Sequence, residues 1–167
     1  MYFTKLPVNI FDNCKNPEEI YFILCLFFNK TINPTFLENE KISPQIMEYM
    51  ELTEKIAFCI PSPAFIEEQM GVISPIDLVI YTYLCKNAFL NGSGKTQINI
   101  KTIHQETYIK KTLIRSSINT LDRTGLIIKD SQDGYYIIEE LLHYFTDNEF
   151  KQLVNSLNQQ LKYSKRS

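Results

Sequence analysis

Ile109-Lys110-Lys111-Thr112-Leu113-Ile114-Arg115-Ser116-Ser117-Ile118-Asn119-Thr120-Leu121-Asp122-Arg123-Thr124-Gly125-Leu126-Ile127 reads as one helix with two opposed faces, ended by a glycine that feeds an apolar strand. At 3.6 residues per turn, Leu113, Ile114, Ser117, Ile118 and Leu121 fall on one face, mostly apolar. Lys111, Thr112, Arg115, Ser116, Asn119 and Arg123 fall on the other, a set of cations, hydroxyls and an amide without a carboxylate. A solvated helix face usually mixes both signs of charge, so this one suits a polyanion. Gly125 fits the left-handed turn beyond a helix end, and Leu126 to Ile128 begin a strand.

The charge of the whole chain gives no such hint. The 167 residues carry a net charge of −2, with 22% charged and 44% hydrophobic residues, enough for a real core. The distribution is uneven. Residues 1–72 hold five lysines against ten carboxylates, whereas residues 95–129 hold seven cations against Glu106 and Asp122, a local net of +5.

Working outward, Ser74-Pro75-Ile76-Asp77 has the signature of a helix start, followed by apolar residues from Leu78 to Phe89. Asn91-Gly92-Ser93-Gly94 predicts a turn, Thr96 to Ile98 a short strand, and Asn99 the cap of a short helix from about Ile100 to Glu106. The opening helix runs from Lys110 to about Thr124. Leu126 to Lys129 and Tyr135 to Ile138 then flank a polar Asp-Gly turn and predict a hairpin.

Helix, strand, helix, helix and two-stranded hairpin is the order of a winged helix-turn-helix. Residues 74–138 resemble that family, in particular the winged helices of Gram-positive plasmid and phage replication proteins and the N-terminal module of DnaD-type primosome proteins. The segment 109–127 is similar throughout to their recognition-helix stretch, and Ile56-Ala57-Phe58-Cys59-Ile60-Pro61 stands where they carry an apolar strand before the first helix. The chain departs from the pattern where the family expects a small residue, Leu and Gly: here stand His104, Thr107 and Tyr108. Those departures point away from a standard tight turn.

The resemblance implies binding of double-stranded DNA, by a regulator of transcription, replication initiation or transfer in a bacterial mobile element. Arg115 and Asn119 would face base edges, with Lys111, Thr112 and Ser116 beside them. Lys95, Lys101 and Lys110 would flank the groove, and Lys129 with Gln132 would belong to the wing. The competing reading is a scaffold in a replication or conjugation complex that uses the same fold for docking.

The first half reads as an acidic helical subdomain, residues 1–72, ahead of a winged helix at 73–140 and a C-terminal amphipathic helix at 141–167. Asn16-Pro17-Glu18-Glu19 is another helix start, and Phe3-Thr4-Lys5-Leu6-Pro7 is similar to Phe58-Cys59-Ile60-Pro61. This pattern matches a degenerate second winged helix. Its third helix would fall at Ile42 to Met50, followed by Glu51 and Glu54, and with Glu48 it would repel phosphate. Thr146-Asp147-Asn148-Glu149 opens the last helix, whose stripe Phe150, Leu153, Val154, Leu157 and Leu161 either packs back on the chain or pairs two subunits as a homodimer.

Other chemistry is not expected. Cys14, Cys25, Cys59 and Cys85 have no metal or redox spacing, and His104 and His143 are isolated from ligand patterns. Gly92-Ser93-Gly94-Lys95-Thr96 imitates a phosphate-binding loop, but Phe89 occupies the required first glycine. The expected protein is therefore no enzyme, with neither cofactor nor small-molecule substrate. The N-terminus lacks a signal-peptide pattern, and the apolar run Ile20 to Phe28 is too short for a bilayer, so a cytoplasmic protein without a membrane partner is expected.

Overall fold

A computed structural model of the chain describes residues 3–7, 9–12, 14–32, 57–61, 66–68, 71, 73–91, 94–129 and 136–137. These are mainly helical with short strands, as the mainly-α (α+β) reading expects. The order is β1 (Phe3–Pro7), α1 (Pro17–Ile32), β2 (Ala57–Pro61), α2 (Pro75–Asn91), β3 (Lys95–Thr96), α3 (Ile100–Thr107), α4 (Lys111–Thr124), β4 (Ile128–Lys129) and β5 (Tyr136–Ile137). No helix among the described residues is long and apolar enough to cross a membrane.

The helix starts form where the caps stand. Asn16 Oδ1 accepts the Glu19 N–H at 2.8 Å, and the Glu19 carboxylate accepts the Lys15 N–H at 2.7 Å. Ser74 Oγ accepts the Asp77 N–H at 3.2 Å, and Asn99 Oδ1 accepts the Thr102 N–H, also at 3.2 Å. Each cap satisfies one amide that the first helical turn leaves over.

Helix α2 is the centre of the molecule. Every residue from Leu78 to Cys85 is buried, as are Ala88 and Phe89, so this helix has no solvated stripe. Its one buried hydroxyl in that run outside the tyrosines, Thr82, donates to the Leu78 carbonyl at 2.8 Å. Around it pack α1, α3, α4, β2 and β3. Leu6, Ile10, Phe27 and Phe58 share one continuous core with Tyr81, Leu84, Ile114 and Leu121.

The two apolar segments that the sequence matched to each other are strand partners. β1 pairs antiparallel with β2, setting Thr4 opposite Ile60 and Leu6 opposite Phe58, with all four side chains buried. The helices that follow them, α1 and α2, also pack together. The remaining correspondence, Asn33 through Glu54 with Glu48 and Glu51, lies outside the described residues. So do Gln132, His143 and the C-terminal amphipathic segment proposed to pair subunits.

The second sheet has the order β3-β5-β4, antiparallel throughout, with Lys95 opposite Ile137 and Ile137 opposite Ile128. Its first hairpin strand, Ile128–Lys129, is shorter than the four-residue run expected at 126–129. Leu126 and Ile127 instead belong to the helix stop. Gly125 adopts φ 80°, its N–H bonds to the Asp122 carbonyl at 3.1 Å, and the Leu126 N–H bonds to the Leu121 carbonyl at 3.1 Å. That pair of bonds is a Schellman stop, and it turns Leu126 and Ile127 into the core before the strand begins.

Candidate nucleic-acid interface

Helix α4 buries Ile114, Ser117, Ile118 and Leu121 against the core. The side directly opposite carries Thr112, Ser116, Asn119 and Arg123, spaced four, three and four residues apart, all exposed. Lys111 and Arg115 form an exposed flank on one side of this row. Among the described residues no carboxylate pairs with Lys111 or Arg115.

Two details of the helix depart from the amphipathic reading. Leu113, expected inside, is 41% exposed on the flank opposite Lys111 and Arg115. Asp122 is exposed on the cationic flank, so the outer surface does carry a carboxylate. It stands seven residues beyond Arg115, two turns toward the C-terminal end, and leaves the first two turns cationic.

The amino end of α4 is open. Its cap position is Lys110, which supplies no side-chain acceptor, so no side chain caps the first amides, and Lys110 and Lys111 are exposed beside them. A helix terminus of this kind favours anions through its free N–H groups and its dipole.

The turn between α3 and α4 is built from His104, Thr107, Tyr108 and Ile109. Tyr108 takes the left-handed conformation, φ 63° and ψ 11°, which glycine adopts without strain. Its N–H closes on the His104 carbonyl at 3.0 Å. Thr107 Oγ1 donates to the Ile103 carbonyl at 2.7 Å and accepts the Ile109 N–H at 3.4 Å. His104 Nδ1 reaches the Ile109 carbonyl at 2.7 Å. Three side-chain contacts thus hold the turn between α3 and α4.

Helix α3 is tied to α2 by the Tyr83 hydroxyl, which donates to the Glu106 carboxylate. Burial pushes the Tyr83 hydroxyl well above its ordinary range, the Glu106 contact pushes it further, and a bond to Asn87 partly opposes both. Phe11 meets the Tyr83 ring edge-on at 5.3 Å, and Lys86 Nζ lies 5.4 Å from the Phe11 ring centre.

The other expected contacts divide by element. Lys101 is exposed on α3, Lys129 is exposed on the edge strand β4, and Lys95 is half-buried in β3. Gly94-Lys95-Thr96 leads into a strand paired with β5, whereas a phosphate-binding loop leads into a helix. Asn91 Nδ2 donates to the Lys95 carbonyl at 3.1 Å and closes that turn.

Sequence reasoning left two neighbouring residues out of the surface. Tyr108 and Leu113 line a groove of about 500 Å³ with Ile76, Val79, Tyr21 and Lys110, between the amino ends of α1 and α2 and the α3–α4 turn. The groove borders the amino end of α4. Its signal in the sequence was Tyr108, a bulky residue at a position the pattern reserves for glycine. Comparisons with protein-family models, curated proteins and solved structures find no match to this chain.

Proposed function

We propose that this chain binds double-stranded DNA as a winged helix-turn-helix, with α4 in the major groove and no cofactor. The order α2-β3-α3-α4-β4-β5 and the sheet order β3-β5-β4 fit that plan. The observation that carries the reading is the outward side of α4. Lys111, Thr112, Arg115, Ser116 and Asn119 are exposed together at the amino end of the helix, within the one strongly cationic segment of an otherwise acidic chain. Lys101, Lys110 and Lys129 would hold phosphates on either side, Gln132 would join Lys129 in the wing, and the free amides at the start of α4 would take another phosphate.

Affinity in this account comes from phosphate neutralisation and specificity from the row that faces the base edges. The process it would serve, as the sequence resemblance implies, is regulation of transcription, replication initiation or transfer of a mobile element. Titration of a fluorescent random duplex into the protein at low salt tests the reading: saturable binding is expected, and its absence overturns it. A scaffold role for the same fold predicts that Lys111→Ala with Arg115→Ala leaves the protein's interactions unchanged.

A further inference from the structure

Leu113 is the residue of α4 that the amphipathic pattern misplaces. It is exposed in the first turn of the helix, next to Thr112. A single exposed leucine on a surface needs no explanation by itself. This one stands at the end of the helix that would enter a groove first, and it borders the row Thr112, Ser116, Asn119.

That row offers a methyl group, hydroxyls and an amide before its first cation, Arg123, in the last turn. The major groove presents a methyl group only at thymine, and the adjacent N6 donor and N7 acceptor of adenine match a carboxamide. Guanine, with two acceptors, is matched by a guanidinium, and in the first two turns Arg115 alone supplies one, from the flank.

Building on the DNA reading above, we infer that α4 selects A·T base pairs, with Leu113 and the Thr112 methyl seated on thymine methyl groups and Asn119 bonded to adenine N6 and N7. Arg115 then reads at most one guanine at the border of an A·T-rich core. Leu113 and Asn119 are the specificity-determining residues of that core, and the lysines around them hold phosphates without regard to sequence.

The test starts with selection of bound duplexes from a random pool by the full chain. The expected consensus is A·T-rich over the core of each half-site. Binding is then measured on that site with single thymines replaced by deoxyuridine, which removes only the methyl group, and single adenines by 7-deazaadenine, which removes only N7. Deoxyuridine at the thymine under Leu113 should weaken the wild type about fourfold and leave Leu113→Ala unaffected. One 7-deazaadenine should weaken the wild type about fivefold and leave Asn119→Ala unaffected. Both positions are exposed and alanine favours helix, so both variants should keep the wild-type far-ultraviolet spectrum. Duplex binding without A·T enrichment, or deoxyuridine effects that persist in Leu113→Ala at every sensitive thymine, overturns this inference while the DNA reading stands. Failure to bind any duplex at low salt overturns both.

Discussion

His104 Nδ1 lies 2.7 Å from the carbonyl oxygen of Ile109, so the imidazole bridges the turn between the two helices that position the candidate interface. A carbonyl can only accept, which places a proton on Nδ1. The contact joins the last turn of α3 to the residue before the cap of α4. His104→Ala should lower stability by about 1 kcal/mol and loosen the aim of α4. Urea denaturation reads the first effect; a loss of duplex affinity measured where the variant is fully folded reads the second.

Tyr108 pays for its left-handed backbone, because an L side chain there is strained by about 1 kcal/mol or more. Tyr108→Gly should therefore be more stable than Tyr108→Ala by about 1 kcal/mol, the reverse of the usual order in regular structure. Gly125, at φ 80°, gives the mirror case: Gly125→Ala should lower stability by about 1–2 kcal/mol. Denaturant midpoints of these variants decide both, and an alanine more stable than glycine at position 108 would contradict the turn geometry.

Ser117 is buried in the face of α4 that packs on the core, and its hydroxyl has no hydrogen-bond partner among the described residues. Removing an unpaired buried hydroxyl relieves its desolvation, and alanine is also the better helix former. Ser117→Ala should raise stability by about 1 kcal/mol, whereas Ile114→Ala, from a fully buried site on the same face, should lower it by about 2–5 kcal/mol. A thermal scan of the two variants checks the pair of opposite signs.

Much of this arrangement is legible in the sequence because it depends on local chemistry. Asn16, Ser74 and Asn99 announce three helix starts, and Gly125 announces the stop of α4, since each of these residues answers a backbone need within four positions of itself. The opposed faces of α4 follow from periodicity in the same way. Leu113 escaped because its first-turn position lies past the edge of the core, where a leucine can be left outside without disturbing the 3.6-residue pattern. The turn escaped for another reason. Small residues signal a left-handed turn by being unhindered, and here His104 and Thr107 supply by side-chain bonds what glycine supplies by freedom. The pairing of β1 with β2 is non-local, and similarity between the two segments carried no information that they would meet.

Two buried groups contribute to the behaviour at alkaline pH. Burial, with Glu19 nearby, pushes the Cys14 thiol from 9.0 up to about 11, and burial with Glu106 holds the Tyr83 hydroxyl above its ordinary 10.0. Both groups keep their protons longer in the folded chain than in the unfolded one. Their contribution is complete below the ordinary values and is lost as pH rises, first past about 9 through Cys14 and then past about 10 through Tyr83. Urea midpoints measured from pH 7 upward should hold level and then decline. Tyr83→Phe should flatten the later part of the decline and Cys14→Ala the earlier part.

The most direct test of the account is the salt dependence of duplex binding, compared between the wild type and Lys111→Ala with Arg115→Ala. Each phosphate contact contributes a slope of about −0.9 to the logarithm of affinity against the logarithm of salt concentration. The wild type should bind random duplex with a steep negative slope, and the double variant should bind more weakly with a slope smaller in magnitude by about 1, the phosphate contact of Lys111. Equal slopes and affinities in the two proteins, or no binding by the wild type at low salt, would contradict the assignment of α4 as a DNA-reading helix.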